Sequence, residues 1–323
     1  MAHTAPEVVV VGLNVVDVLV KLPPQRKQGD KHEVNELVIQ GGAPAGNAAC
    51  LLATLGWRTA FVGRLGQDTL ATIARAEFAR HGVMLDFLID EVGARPAIAV
   101  VEIDPDTGER TVYYTLAGYR HPTADDVPAE AIRNARLVFC DGYETEAGLA
   151  ALQAAHEAGV ASVIDIEAGE PTVLRRMLAL ASHAILPAAA GRTLTGHDAP
   201  EAVVEALGGM TDGQVLITDG VEGSWAWTAE GVRHQPAFAV EVVDTTGCGD
   251  AYHAAYASAL LDGLPLVRRM EFAAFVASRV ATALGGRGGL PTRRTLAEAD
   301  LSELSNPLRQ HLLAWKGDEA AAR

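Results

Sequence analysis

Val242-Val-Asp-Thr-Thr-Gly-Cys-Gly-Asp-Ala-Tyr-His253 joins three kinds of sequence in a short span. An apolar run, read as the end of a strand, stops at Val243. Small residues follow, and an alanine-rich segment of helical period opens near Gly249 and continues to about Leu261. Gly247, Cys248 and Gly249 carry little or no side chain, so a ligand can approach their backbone closely. Their N–H groups fall at a helix N-terminus, where unpaired donors and the positive dipole end favour an anion. Asp250 lies in the first turn beside that anion site. A carboxylate there can take the proton of a hydroxyl that is being phosphorylated. The plain structural reading of the same turn is a helix start with an acidic first turn.

Strand, tight turn and helix recur in both directions from this point. Short β-branched runs at residues 7–12, 59–62, 136–140, 162–166, 183–186 and 214–218 alternate with helical periods at 43–55, 69–80, 147–158, 173–181 and 201–207. Such alternation implies right-handed βαβ crossovers and a mostly parallel sheet covered on both faces, an α/β three-layer sandwich. Ligands of such sheets bind beyond the carboxyl ends of the strands. Residues 17–21 with 34–40, and 97–103 with 110–115, break the pattern as consecutive strands. The second pair is joined by Asp104-Pro-Asp-Thr-Gly108, good hairpin-turn chemistry. These four strands are expected to form a small antiparallel lid over the pocket. The expected organisation is an α/β core of residues 1–16, 42–94 and 120–315, a lid of 17–41 and 95–119, and a disordered tail at 316–323.

Composition narrows the function. The 323 residues are 49% hydrophobic and 5% aromatic, with a formal net charge of −15. Nucleic-acid binders need a basic footprint and often stacking rings, and anionic membranes repel such a chain, so neither partner is expected. No stretch approaches the roughly 18 apolar residues of a membrane span, and residues 8–11 are too short and lack the basic flank of a signal peptide. Cys50, Cys140 and Cys248 are odd in number and lack metal-type spacing. A reduced, cytoplasmic protein is expected.

Asp244-Thr-Thr-Gly-Cys-Gly-Asp250 resembles the DTxGAGD signature of ribokinase-like (PfkB) carbohydrate kinases, and other segments agree in order. Gly12-Leu-Asn-Val-Val-Asp17 is similar to that family's opening strand, Gln40-Gly-Gly-Ala-Pro-Ala to its di-glycine hinge, Gly63-Arg-Leu-Gly-Gln-Asp68 to its G(R/K)xGxD element, and Thr218-Asp-Gly-Val-Glu-Gly223 to its TxGxxG turn. The resemblance spans about residues 7–292. It implies a ribokinase-like fold, ATP with Mg²⁺, and transfer of the γ-phosphoryl to a hydroxyl of a sugar-like small molecule. By position it makes Asp250 the base and Gly247, Cys248 and Gly249 the anion hole. Asp17, Gly41, Gly42 and Asn47 become acceptor contacts, and Thr218, Gly220, Gly223, Arg287 and Gly288 nucleotide contacts. Asp244 and Thr246 fall in the loop that holds a monovalent cation such as K⁺ in some relatives. Relatives often pair their lids, so a homodimer through the lid is expected.

The chain departs from the family pattern at four places. Gly46 stands where an asparagine is usual, one position before Asn47. The NxxE element that helps hold Mg²⁺ reads Pro187-Ala-Ala-Ala190, which offers no side-chain oxygen; Asp165, at a strand end, is the candidate replacement. Cys248 replaces alanine, and is read as a small packing residue or, more sharply, as a helix-tip thiol of lowered pKa. Finally, His234-Gln-Pro-Ala-Phe and Gly285-Gly-Arg-Gly-Gly-Leu-Pro291 resemble bacterial sulfofructose kinases, as does Lys31, which falls where those enzymes present a lysine to the anionic end of the sugar. Their sulfonate-binding arginine is nevertheless replaced by Tyr143. Tyrosine cannot copy bidentate anion recognition. His32, Arg120 and one of the adjacent Tyr113 and Tyr114 are further candidates for the lid face of the pocket, because neighbouring strand residues point to opposite sides. His253 and Tyr256 read as packing.

Two other readings stay open: a nucleoside kinase on the same fold, and a non-catalytic sensor of sugar or nucleotide. An NAD-dependent oxidoreductase would need Gly-x-Gly-x-x-Gly after the first strand. The chain has Gly-Leu-Asn-Val-Val-Asp after Val11.

Overall fold

The computed structural model describes residues 5–167 and 169–321. Strand β1 (Val8–Val11) is four consecutive valines, all fully buried, as expected of a strand covered on both faces. It pairs in parallel with β4 (Thr59–Leu65) on one side and β8 (Leu137–Asp141) on the other. Beyond β8, parallel pairing continues through β9 (Ala161–Asp165), β10 (His183–Pro187) and β11 (Gln214–Thr218). The short strand β5 (Leu88–Asp90) adds in parallel to β4. An antiparallel hairpin, β12 (Ser224–Thr228) and β13 (Gly231–Gln235), closes the far edge.

The period of two along β1 sends its valines into different cores. Val8 and Val10 pack with α1 (Pro44–Thr54), α8 (Cys248–Leu261), α9 (Leu266–Val280), α10 (Arg293–Glu298) and α11 (Asn306–Ala321). Val9 and Val11 pack against the opposite layer, which comprises α3 (Ala129–Asn134), α4 (Thr145–Ala158), α5 (Pro171–Leu180), α6 (Ala188–Thr195) and α7 (Pro200–Gly208). The expected three-layer sandwich is therefore present. Helix α8 is apolar nearly all round, the mark of a core helix. Its buried Ala251, Ala254, Ala255, Ala257 and Ala259 let α1 and α9 approach closely, and those helices answer with Ala45, Ala48, Ala49, Ala273 and Ala274.

The lid sheet runs in the order β3 (Leu37–Gly42), β2 (Val15–Lys21), β6 (Ala97–Ile103), β7 (Arg110–Thr115). Its outer pairs are antiparallel, as expected, but its central pair β2–β6 is parallel. The reason is connectivity: the chain returns to the core between β3 and β6, through α1, β4, α2 (Thr69–Arg80) and β5. Leu19, Ala99, Val101 and Ile103 form the lid's packed face with Leu13 and Val15. The other face leaves Leu37, Ile39, Val100 and Tyr113 exposed.

Three expectations change. The run ending at Val243 is not a strand; the Val243 and Asp244 amides donate to Ala281 O, so no strand partner takes them. Hairpin β12–β13 extends the sheet where no strands were read. Helix α11 reaches Ala321, so residues 316–321 of the expected tail are helical, and 322–323 lie outside the described residues. Among the described residues, no helix is long and apolar enough to cross a membrane.

Candidate active site

The carboxyl ends of β8 and β9 bring Asp141 and Asp165 side by side in register, and α8 begins over the same edge. Gly247 caps that helix with φ 77°, a left-handed conformation that favours glycine. Its α-carbon also lies so near Gly286 that a Cβ would collide with that backbone. The Cys248 amide donates to Thr245 O at 3.3 Å, a long turn bond. Gly249 is exposed, and a Cβ built on it would meet nothing within 4 Å. The helix tip is therefore open at the position expected to receive an anion.

Asp250 sits just inside that opening. Its Oδ2 accepts a 2.6 Å hydrogen bond from Asn47 Nδ2, and Asn47 Oδ1 accepts one from Arg287 Nε at 2.9 Å. Arg287 Nη2 also donates to Asn14 Oδ1 (2.7 Å) and Gly42 O (3.1 Å). Arg287 is 1% exposed. Arg287, expected at the nucleotide, is a buried strut against Asn14, Asn47 and Gly42, and Asn47, expected at the acceptor, donates to Asp250. The di-glycine makes room for both ends of the array: a Cβ on Gly41 would strike the Arg287 guanidinium, and one on Gly42 the Asp17 carboxylate. The hinge turns at Ala43, whose φ of 69° makes it the non-glycine residue with positive φ among the described residues. Pro44 then starts α1 at a position where its missing N–H costs nothing. Burial raises the Asp17 carboxyl to about 6, against the opposing pull of Arg287 and with a further push from Asp250. Asp17, Asp250, Asn47, Gly41 and Gly42 are thus brought together.

Other expected residues fall elsewhere. Lys31 is exposed in the loop between β2 and β3, outside this hydrogen-bonded cluster. Thr218 ends β11 and pairs with Ser224. Gly220 and Gly223, with φ of 54° and 95°, make the turn into β12, and Gly223 is pressed against the Gln235 carbonyl. Gly288 is pressed against the Leu284 carbonyl. The Asp244 carboxylate accepts from the amides of Thr246 (2.8 Å) and Gly285 (2.7 Å), so it ties the helix-tip loop to the glycine run. Thr246 Oγ1 is buried without a hydrogen-bond partner among the described residues.

Asp165, the candidate metal ligand, is 1% exposed and faces His253 Nδ1 at 3.3 Å. Burial, followed by Glu167, Asp250 and Asp141, holds its carboxyl well above the usual range. Among the described residues, no group of three or more His, Cys, Asp or Glu side chains is gathered closely enough to hold a metal ion. A protein-built divalent cage does not fit here. The sharper reading of Cys248 is also reversed: burial pushes its thiol up to about 12, opposite to an activated thiolate. A surface groove lined by Pro6, Met84, Phe87, Pro128 and Asn134 lies at the opposite, amino ends of the strands and contains none of these residues.

Sequence reasoning missed Asn14, Arg110 and Glu167. Arg110, on the lid face that also carries Asp17 and Tyr114, approaches Thr245 O at 3.4 Å, beside the helix-tip loop. Tyr143 Oη donates to Glu167 Oε2 at 3.1 Å, and burial together with Glu167 pushes that phenol up from its usual range. Tyr113 points to the outer face of the lid. The signal for Asn14 was within reach, three residues before Asp17 in the motif already singled out.

The profile described as "pfkB family carbohydrate kinase" matches residues 5–293. Fructokinase-1 of Zea mays is 31% identical over 285 residues, covering 79% of this chain and 86% of the relative. Aminoimidazole riboside kinase of Salmonella typhimurium is 31% identical over 235 residues, covering 67% of this chain and 72% of the relative. Arabidopsis thaliana ribokinase, solved with ribose and ATP, superposes with a TM-score of 0.78 at 27% identity, covering 94% of this chain and all of that one (100%).

Proposed function

The chain belongs to the pfkB family of carbohydrate kinases, and on that premise we propose that it transfers the γ-phosphoryl group of ATP to a hydroxyl of a sugar or sugar derivative. Asp250 is the general base, and the amides of Gly247, Cys248 and Gly249 form the anion cradle. The observation that carries this reading is the open helix tip at Gly249 beside a carboxylate already oriented by Asn47.

The acceptor docks against Asp17 and the di-glycine hinge, under the lid. Its hydroxyl loses a proton to Asp250 as the oxygen bonds to the γ-phosphorus. The bond from that phosphorus to the β,γ-bridging oxygen breaks, and ADP leaves. Amide dipoles fixed in advance stabilise charge on the migrating group without reorganising. The divalent ion enters as part of the substrate, MgATP, held chiefly by the phosphates and water. The fructokinase relatives favour a simple sugar acceptor, while the riboside kinase relative keeps a nucleoside in view. The exposed apolar face of the lid supports a homodimer built by pairing lids.

The test is an ADP-release screen with MgATP against sugars, sugar acids, sulfosugars and nucleosides. Asp250→Asn should lower turnover on the best acceptor by about 10²–10⁴-fold while nucleotide binding, measured by calorimetry, survives. Wild-type turnover in that variant refutes the base assignment.

A further inference from the structure

Tyr143 and Glu167 each lie two residues past the ends of β8 and β9, where Asp141 and Asp165 are register partners. That is the carboxyl edge over which α8 presents Asp250. Tyr143 is 40% exposed, so the pair faces open space. A phenol has one O–H to donate, and this one goes to Glu167 Oε2. What remains toward an incoming molecule is the phenol's lone pairs and those of a carboxylate, which are acceptors only. The lid cation on this side, Arg110, donates to Thr245 O at 3.4 Å by the helix tip and also lies within electrostatic reach of Glu167, whose carboxylate it favours.

We propose that the Tyr143–Glu167 pair determines acceptor specificity, selecting a sugar whose non-reacting end carries hydroxyl or amino donors and excluding sugars that carry a sulfonate, phosphate or carboxylate there. The inference rests on the kinase reading above and deepens it. A hydroxyl or ammonium group supplies the donors that the pair lacks. An anionic group brings acceptors against acceptors and a like charge beside Glu167, so both sides lose hydrogen bonds on leaving water.

The test compares kcat/KM for neutral ketoses and aldoses and a 2-amino-2-deoxy sugar with their 6-sulfonated and carboxylated counterparts. The wild-type protein should favour the uncharged and amino sugars by about 100-fold or more. Glu167→Gln should shrink that ratio by about tenfold or more, and Tyr143→Arg should raise kcat/KM for the anionic sugars. Asp250→Asn should depress every acceptor alike and leave the ratio in place. Equal or better turnover of a sulfonated sugar by the wild type, or an unchanged ratio in Glu167→Gln and Tyr143→Arg, overturns the proposal. If no acceptor is phosphorylated, the kinase reading fails, and thermal-shift binding of the same sugars decides this one. Neutral-selective stabilisation that narrows in Glu167→Gln upholds it, and equal stabilisation by both sugar classes sinks it.

Discussion

Asp17 lies on the inner face of lid strand β2, within electrostatic reach of Arg287 and Asp250, and its carboxyl is raised from 3.8 to about 6, chiefly by burial. The folded protein therefore holds the proton more tightly than the unfolded chain does. Below 3.8 both states carry the neutral acid. As pH rises through about 6, the folded state must bear a buried charge that the unfolded chain bears more easily, and stability falls. Asp17→Asn removes that penalty. It should stabilise the fold by about 3 kcal/mol at pH 7.5, with the gain vanishing toward pH 4, as thermal denaturation across pH will read. Acceptor binding should be lost in the same variant. In the wild type, acceptor affinity should fall as pH drops through 6, because the neutral acid accepts fewer hydrogen bonds from hydroxyls. Asn47→Ala makes a different prediction. It unhooks Asp250 and strips Arg287 of a partner, so kcat should fall by about 10–100-fold with little change in KM for MgATP, as steady-state kinetics will measure. Asp250 and Asp17 could be found from short motifs because their chemistry is local. The role of Arg287 could not: its partners Asn47, Gly42 and Asn14 lie 240, 245 and 273 positions away, and an arginine among glycines looks the same whether buried or exposed.

Among elements, the start of α8 is the most constrained. Gly247 combines a left-handed φ with close approach to Gly286. Gly247→Ala should cost about 1–2 kcal/mol from the backbone alone, more from the collision, and should displace the helix-tip amides proposed as the anion cradle. Lower melting temperature and weaker binding of the ATP γ-phosphate relative to ADP would be the paired readouts. Elements were legible where burial has a simple period. The valines of β1 and the alanines of α8 announce two-sided cover, and the strand and helix alternation follows from them. The stretch before Asp244 misled because Phe238-Ala-Val-Glu-Val-Val243 is an apolar, valine-rich run like a strand, yet Val243 and Asp244 are held by a single carbonyl, Ala281 O. Hairpin β12–β13 was hidden by the reverse effect: β13 (Gly231–Gln235) is mostly polar and at the sheet edge, so no apolar alternation marks it.

At the scale of the molecule, the lid carries an apolar face that the core does not cover. Ile39, Val100 and Tyr113 lie in one cross-strand row through Val18, with Leu37 in the next row beside Val20. If two lids pair through this face, Ile39→Glu and Tyr113→Glu should each weaken the dimer by about tenfold or more, read by sedimentation equilibrium, with the melting profile of the core unchanged. A wild-type protein that stays monomeric at high concentration rules the pairing out. The lid's middle strands, β2 and β6, arrive by separate excursions of the chain and meet along seven parallel register pairs, so no single stretch of the gene encodes this subdomain. A chimera importing only residues 15–42 would set a foreign edge against a native one along that whole seam. Shuffling between relatives to breed new acceptor preferences will succeed where crossovers move both excursions together, as one inseparable pair.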